Sequence, residues 1–158
     1  MSMCKYMGCK LVSAEKVTWE ECCVRLKRGG GSYIFKPGEM VYYIEYLDGG
    51  KGWSPVEAFE KAYMPIKKNA DLKTDISISQ MMVDEFIAYE EVITVDGRTT
   101  LVRCVLRNGF VLTETSTCVD PDNYDEKIGA EICRRRIKDQ IWWLLGFFLA
   151  TAKNGLNG

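Results

Sequence analysis

Two Asx-Gly pairs in the second half of the sequence constrain the fold most strongly. The stretch "ITVDGRTT" contains Asp96-Gly97, and "VLRNGFVL" contains Asn108-Gly109. Both pairs suit a two-residue type I′ turn, because both central residues of that turn need a positive φ. Two such turns, placed one after the other, join three consecutive strands. The sequence therefore predicts a three-stranded antiparallel meander.

The second turn also predicts a strand register. Counting back from a two-residue turn places Arg103 opposite Glu114, which is a favourable cross-strand charge pair. The same register puts Cys104 opposite Thr113 and not opposite Cys118. We therefore expect no disulfide between these strands.

Four segments carry the pattern of a helix start, in which a Ser, Thr or Asn cap is followed three residues later by Glu or Gln. The predicted caps are Thr18, Ser54, Ser77 and Asn123, and Pro55 stands at the first helical position after Ser54. Apolar residues recur at helical spacing after each cap. The sequence therefore predicts four helices.

The last predicted helix is apolar almost all round in its second half. Its apolar residues lie on two sides: Ala130, Cys133, Ile137, Leu144 and Phe148 on one, and Trp142, Leu145 and Leu149 on the other. The apolar run at 141–152 is too short to span a bilayer, which needs roughly 20 residues. Such a helix must be covered twice, by its own sheet and by either the N-terminal module or another subunit. We expect a homo-oligomer.

The first half of the chain contains a second β-rich group, in "GCKLV", "GSYIF" and "MVYYIEYLDGGKGW". The polar stretch 66–75 follows it without periodicity and is the best linker candidate. We therefore predict an α+β protein of two modules. A small helix–sheet module at residues 1–66 precedes a second module at 76–153, which comprises a helix, the three-stranded antiparallel meander and a long helix.

Composition argues against several kinds of chemistry. The chain has no histidine, which removes Ser-His and Cys-His nucleophile pairs and His-ligated metals. None of its cysteines forms a CxxC pair, the short spacing that zinc sites favour. The net charge of −1 argues against a general binder of duplex DNA. We expect a cytosolic protein with reduced thiols and without catalysis, metal or cofactor.

The run "VLRNGFVLTETSTCVDPDNYDEKIGAEICRRRIKDQIWWLLGF" resembles a family of small tailed-phage proteins, usually labelled Gp forty-nine / Gp sixty-six. The resemblance covers roughly residues 76–152. Its most specific parts are the Asn-Gly turn at 108–109, the segment CVDP at 118–121 and the Ile-Gly pair at 128–129. It implies a phage or prophage origin and an accessory gene, and it implies no known activity.

A second resemblance lies upstream. The stretch "VTWEECCVRLKRG", followed by "YYIEYLDGGKGWSP" and "FEKAY", looks like the small α+β proteins with which phages sequester immune signal nucleotides in anti-Thoeris defence. The resemblance implies a homo-oligomer that holds a ligand of cyclic ADP-ribose type in pockets between subunits. It rests on a pattern of helix, hairpin and "W-S-P" turn.

A nucleotide site needs aromatic faces for the base and arginines for the phosphates. The candidate ligand-binding residues are Arg25, Arg28, Tyr43, Trp53, Ser54, Arg103 and Thr115. Each has a purely structural alternative. The aromatic residues suit a sheet core, the basic residues suit solvated helix faces, and threonine is a good strand residue.

The leading functional hypothesis is a non-enzymatic phage counter-defence protein in the host cytoplasm. It would bind and sequester a nucleotide immune signal of cyclic nucleotide or cyclic ADP-ribose type, and would not bind duplex nucleic acid or a membrane. The alternative is a protein-interaction module that redirects a host protein. That alternative predicts an exposed apolar patch around Trp142 and Trp143 and no concave basic pocket. A third hypothesis, a nucleotide hydrolase, would need carboxylates that converge on a metal, with Glu45 or Asp48 as suggestions.

Overall fold

The computed structural model describes residues 3–27, 35–67 and 72–157. The candidate ligand residue Arg28 lies outside the described residues, as does the central part of the predicted linker, 68–71.

The chain divides into two compact units. Unit 1 comprises Met1–Pro65 and Ala150–Gly158, and unit 2 comprises Ile66–Leu149. Each contains helices and a three-stranded antiparallel sheet, so the predicted α+β class is confirmed.

Unit 1 is a three-stranded sheet with one helix packed on each of its two faces. Its elements are β1 (Val12–Thr18), α1 (Trp19–Arg25), β2 (Met40–Tyr46), β3 (Lys51–Pro55) and α2 (Val56–Ala62), with strand order β1-β2-β3. The core between α1 and the sheet is built from Val17, Trp19, Cys22, Cys23, Val41 and Tyr43. Phe59 of α2 instead stacks on Tyr42, whose side chain points away from that core because side chains alternate along β2.

The start of α1 confirms the first predicted cap. Thr18 has extended backbone angles, and its Oγ1 accepts a hydrogen bond from the backbone N–H of Glu21 at 3.3 Å. This bond satisfies one of the N–H groups that the first helical turn leaves without a partner.

Unit 2 is a sheet covered on one face by a long helix. Its elements are α3 (Gln80–Glu85), β4 (Ile87–Val95), β5 (Thr99–Leu106), β6 (Val111–Thr117) and most of α4 (Glu126–Asn154), whose residues from Ala150 onward belong to unit 1; the strand order is β4-β5-β6. The predicted helix, meander and long helix are therefore all present. Alternate residues of β5 are buried, which is the pattern of a strand with one covered face.

The buried stripe of α4 follows the prediction only in its first half. Ala130, Cys133 and Ile137 are buried as expected. Further along, Leu145 is buried, whereas Phe148, which was predicted to share a side with Cys133 and Ile137, is 50% exposed.

The predicted cap Ser54 is wrong. Ser54 lies within β3, where it pairs with Tyr42 of β2, and its hydroxyl donates to the carbonyl of Pro55 at 3.2 Å. The helix begins at Val56, after Pro55, and has no side-chain cap. Pairing with β2 keeps the backbone extended for one residue longer than the capping pattern implies.

Two further predicted caps are each displaced by two residues. Ser79, and not Ser77, caps α3, because its Oγ accepts a backbone N–H of that helix at 3.4 Å. Asp125, and not Asn123, caps α4, because its Oδ1 accepts two backbone N–H groups of that helix at 2.8 and 3.2 Å. Asn123 instead ends a short 3₁₀ turn that begins at Pro121.

The first meander turn has the predicted backbone angles, although three residues and not two separate the paired Val95 and Thr99, whereas the second turn lacks those angles as well. Asp96 and Gly97 both have positive φ, at 54° and 66°. In the second turn only Gly109 has a positive φ, and the N–H of Leu106 donates to the carbonyl of Phe110 at 2.8 Å. The loop therefore holds three residues, which is the other common way to join two strands.

This extra loop residue shifts the register by one. Arg103 lies opposite Thr113 and not opposite Glu114, which pairs with Val102. Cys104 lies opposite Leu112. The predicted cross-strand pair between Arg103 and Glu114 is therefore wrong, because these two side chains point to opposite faces of the sheet.

Candidate functional site

Arg25 is engaged on both ends of its guanidinium group. Nη1 lies 2.7 Å from Glu15 Oε2, and Nη2 lies 2.5 Å from Glu21 Oε1. The hydrogen bonds to these two carboxylates raise the pKa of Arg25 above its usual value. Its Cζ also lies 5.3 Å from the ring centroid of Tyr43. A phosphate would have to displace a carboxylate to reach this arginine.

Tyr43 belongs to the core of unit 1, and the half-buried Trp53 packs against that core. Tyr43 is 6% exposed, and its hydroxyl donates to Glu45 Oε1 at 2.8 Å, which lowers the pKa of that carboxyl. Trp53 packs edge-on against Trp19 and Phe35, with ring centroids 5.0 and 5.3 Å away. The buried ring of Tyr43 offers no open face of the kind that a nucleotide base needs, and Trp53 is in contact with two other rings.

Ser54 does not join these residues. It is the cross-strand partner of Tyr42, whereas the neighbouring Trp53 is the partner of Tyr43. Since successive side chains of a strand point to opposite faces, Ser54 lies on the other side of the sheet from Tyr43 and Trp53. The candidate set in unit 1 is therefore divided between two faces.

A column of three aromatic rings lies on that other face. Phe59 stacks between Tyr42 and Tyr63, at centroid distances of 4.0 and 4.5 Å. The hydroxyl of Tyr42 donates to Glu60 at 3.3 Å, and burial raises the pKa of Tyr63. The i, i+4 spacing of Phe59 and Tyr63 is the sequence signal for half of this column, but only the sheet brings in Tyr42.

Arg103 and Thr115 lie together on the face of the unit 2 sheet that α4 does not cover. Val102 and Cys104 on either side of Arg103 are fully buried, so Arg103 points the other way. Thr115 pairs with Leu101, two residues from Arg103 on the same face. The observed register brings these two candidates together, whereas the predicted register, with Arg103 opposite Glu114, would have placed them on opposite faces.

The surroundings of Arg103 combine charge, hydroxyl groups and an aromatic ring. Across the strands, Arg103 lies between Glu91 of β4 and Thr113 of β6. Within the described parts of the chain, its guanidinium takes part in no hydrogen bond or ion pair. Tyr89, on the same face, is 56% exposed. We call Tyr89, Glu91, Arg103, Thr113 and Thr115 the open-face set.

The basic run at the start of α4 ties that helix to both outer strands of the sheet. Arg134 Nε donates to Glu90 Oε1 on β4 at 2.7 Å, and this carboxylate raises the pKa of Arg134. Arg136 Nη1 donates to the carbonyl of Thr115 on β6 at 3.0 Å. The two arginines hold the helix across the sheet, so their role is structural.

An exposed aromatic surface lies on the second half of α4. Trp143 is 72% exposed and Phe147 is 63% exposed, and their rings stack with centroids 6.4 Å apart. Next to them is a cleft of about 510 Å³, lined by Phe110, Leu112, Asp139, Gln140, Trp143 and Leu144. The neighbouring Trp142 is more covered, and its Nε1 donates to Gln80 at 3.4 Å.

The carboxylates suggested for a hydrolase have ordinary structural partners. Glu45 forms an ion pair with Lys51 at 3.1 Å, and Asp48 accepts the backbone N–H of Gly50 at 2.9 Å in the turn between β2 and β3. In the described part of the chain, no group of three or more His, Cys, Asp or Glu residues is placed to hold a metal ion.

None of the seven cysteines, all of which lie within the described residues, is in a disulfide, and Cys22, Cys23, Cys104 and Cys133 are buried. None of the helices among the described residues is both long enough and apolar enough to cross a membrane.

A comparison with known proteins shows similarity to one protein family. Residues 76–153 match the model of a family described as "Phage protein (N4 Gp49/phage Sf6 gene 66) family". No curated protein and no solved structure gives a significant match.

Proposed function

Residues 76–153 belong to the phage protein (N4 Gp49/phage Sf6 gene 66) family, and from this premise we propose that the chain is a phage counter-defence protein. It binds a nucleotide immune signal in the host cytoplasm and sequesters it without catalysis. The signal is of cyclic nucleotide or cyclic ADP-ribose type. Family membership supports the phage origin, and the guanidinium of Arg103 on the uncovered face of the unit 2 sheet supports a ligand that carries phosphate.

The observation that carries the proposal is the guanidinium of Arg103. It is partly exposed, points to the uncovered face of the sheet and has no partner among the described residues. An arginine with free donors binds a phosphate through two parallel hydrogen bonds. Phosphate is the group that all the candidate signals share.

The rest of the open-face set supplies the other contacts of a nucleotide. The exposed ring of Tyr89 offers a face on which a base stacks, a contact worth about 1–3 kcal/mol. The hydroxyls of Thr113 and Thr115 can donate to phosphate or ribose oxygens. Glu91, directly across from Arg103, competes with the phosphate for the guanidinium.

The unit 1 candidates are not part of the proposed site. Arg25 is held by two carboxylates, Tyr43 is buried in the core, and Trp53 packs against that core. Ser54 lies on the opposite face of that sheet from both rings. These residues support the fold of unit 1, so the proposed binding surface belongs to unit 2.

The test is a thermal-shift screen of the purified protein against cyclic dinucleotides, cyclic trinucleotides, ADP-ribose and its cyclic isomers. A ligand at a hundred times its Kd stabilises the folded state by about 2.7 kcal/mol, which raises Tm by roughly 5–10 °C for a chain of this size. We expect Arg103→Gln to abolish the shift and Arg135→Gln to leave it intact. Arg135 is the matched control, because it is an exposed arginine on α4, outside the open-face set.

The chemical state of the recovered ligand decides between binding and catalysis. A ligand released unchanged from denatured protein, in stoichiometric amount, supports sequestration. A ligand released in altered form makes the protein an enzyme. Absence of a shift with every nucleotide, or a shift that survives Arg103→Gln, contradicts the proposed site.

The alternative function, binding to a host protein, is favoured by the exposed rings of Trp143 and Phe147. Exposed apolar surface of this kind marks interaction sites on soluble proteins. Its test is capture of a host protein by the tagged chain, with Trp143→Ser as the variant that must lose the partner. Retention of the partner by that variant would exclude this surface.

A further inference from the structure

Two charged residues stand side by side on the uncovered face of the unit 2 sheet. Glu91 of β4 is the direct cross-strand partner of Arg103 of β5. Residues in such positions have Cβ atoms about 4.5–5.5 Å apart. Both side chains are partly exposed, and within the described residues neither of them takes part in a hydrogen bond or an ion pair. A ligand group that binds to Arg103 therefore lies close to the carboxylate of Glu91.

The rest of this face is uncharged along all three strands that the structure describes. The remaining strand positions are occupied by apolar residues, threonines and one tyrosine. Glu90 and Glu114 point to the covered face, where side chains of α4 bind them. The charged residues of the two turns lie four or more residues from Arg103 along the chain, at least about 13 Å in an extended strand, and salt screens their effect at such distances. Glu91 is therefore the nearest charge to Arg103 within the sheet.

Nucleotide phosphates differ in charge and in the number of oxygens that are free to accept hydrogen bonds. A phosphodiester, the linkage within a cyclic nucleotide, has two non-bridging oxygens and one negative charge. A terminal phosphomonoester has three such oxygens and nearly two negative charges at neutral pH. The guanidinium of Arg103 can donate two parallel hydrogen bonds to one phosphate, and it neutralises one charge. It therefore matches a phosphodiester, whereas the second charge of a monoester remains beside Glu91.

We propose that Glu91 makes this site selective for phosphodiesters against terminal phosphomonoesters. The inference rests on the proposed function, because it requires that Arg103 binds a nucleotide phosphate. Together, Arg103 and Glu91 have no net charge, so the pair accepts one further negative charge more readily than two. Glu91 is thus a specificity-determining residue, which acts by repelling the wrong kind of phosphate.

This selectivity narrows the class of ligand to cyclic nucleotides in which each phosphate is a single phosphodiester. A pyrophosphate, as in ligands of cyclic ADP-ribose type, places a second charged phosphate directly beside the first, so Glu91 disfavours it for the same reason. When water opens the ring of a cyclic nucleotide, one P–O bond breaks, and the product has a terminal phosphomonoester and a new hydroxyl group. The site therefore distinguishes an intact cyclic signal from its linear product.

Coulomb's law gives the size of the effect. One additional negative charge about 6 Å from a carboxylate lowers the affinity about threefold at the dielectric constant of water, and about a hundredfold at an effective dielectric constant of about 20. Glu91 and Arg103 are both partly exposed, so we expect a value toward the lower end, about three- to tenfold. Arg103 attracts the same additional charge, and a comparison of variants with and without the carboxylate separates the two contributions.

The test uses two ligands that differ in one charge, adenosine 5′-monophosphate and its methyl ester, which share the same base and sugar. NMR titration to millimolar concentrations measures both dissociation constants at about pH 8, where the monophosphate has lost its second proton. We expect the unaltered chain to bind the methyl ester about three- to tenfold more tightly, and Glu91→Gln to remove this preference.

Glu131→Gln is the matched control and should keep the preference. It makes the same change in charge at an exposed residue of α4, which covers the opposite face of the sheet. Arg103→Gln should weaken the binding of both ligands, because both need its donors. A cyclic dinucleotide and its linear 5′-phosphorylated form provide a second pair of ligands, for which we expect the same loss of preference in Glu91→Gln.

Two results would overturn the inference and leave the proposed function intact. In the first, both ligands of a pair bind through Arg103 with equal affinity. In the second, the preference for the diester survives Glu91→Gln unchanged. Failure of both pairs to bind would also overturn the inference. The thermal-shift screen reports separately on the proposed function, which fails when no nucleotide binds.

Discussion

A Cβ added to Gly129 would lie 2.2 Å from Oγ1 of Thr100 and 2.7 Å from its Cβ. Gly129 is in the first turn of α4, and Thr100 is a fully buried residue of β5. No side chain fits between them, so the helix backbone rests directly on the strand. The Oγ1 of Thr100 also shares a hydrogen bond with the hydroxyl of Tyr124 at 3.0 Å.

Gly129→Ala should lower the free energy of unfolding by about 1–3 kcal/mol, because the added methyl group overlaps a buried side chain and the helix must move. Urea denaturation followed by circular dichroism measures the change. Gly8→Ala is the control, since its added Cβ meets nothing within 4 Å. Equal stability of the two variants would show that α4 does not approach β5 so closely.

Asp125→Ala should cost about 1 kcal/mol of stability, because two backbone N–H groups at the start of α4 lose their acceptor. Asn123→Ala should cost clearly less, since the side chain of Asn123 makes only a 3.4 Å contact with Asp120. Parallel urea titrations of the two variants compare the costs. A larger loss of stability in Asn123→Ala than in Asp125→Ala would show that Asn123 caps α4, as the sequence pattern predicts.

The buried thiols of Cys104 and Cys133 should make the protein less stable at alkaline pH. Burial raises the pKa of both thiols above the ordinary value of 9.0. Above that pH the unfolded chain loses these protons while the folded chain keeps them, so the free energy of unfolding falls as pH rises. The contribution is fully present below pH 9 and is lost as pH rises through the folded-state pKa values.

Urea midpoints measured from pH 7 to about pH 10.5 test this dependence. Replacing both cysteines by valine should flatten the alkaline decline. Val102→Ala, at a fully buried neighbour on β5, should lower stability by a similar amount at every pH. If stability falls equally at alkaline pH in the variant without the two thiols, other groups cause the fall.

Arg25 and Arg103 should differ in their effect on ligand binding. Arg25→Gln removes the partner of Glu15 and Glu21 and should leave the affinity for a nucleotide unchanged. Arg103→Gln should remove binding, because the phosphate loses its two donors. Glu91→Gln should increase affinity, since it removes the negative charge beside Arg103. Isothermal titration with the ligand found in the thermal screen measures all three, and loss of affinity in the Arg25 variant would return the site to unit 1.

Local signals in the sequence were sufficient for the elements themselves. The Asx-Gly pairs predict the two turns of the meander, and the capping patterns predict four helices, all of which form. These signals act between residues a few positions apart, so the chain displays them without its tertiary structure. The same signals located the helix starts only to within two residues. Ser79 caps α3 in place of Ser77, and Asp125 caps α4 in place of Asn123.

The roles of the candidate residues depended on distant parts of the chain. The sequence alone suggests that Arg25 is available to bind a phosphate. In the fold, Arg25 donates to Glu15, which lies ten residues away on β1. Arg103 reads as the partner of Glu114, but a three-residue loop turns the two side chains to opposite faces. The sequence by itself determined the α+β class and the elements, because those depend on local periodicity and turn chemistry. Only the tertiary structure decided which arginine keeps its donors free, because that depends on which carboxylates the packed strands and helices bring within hydrogen-bonding distance.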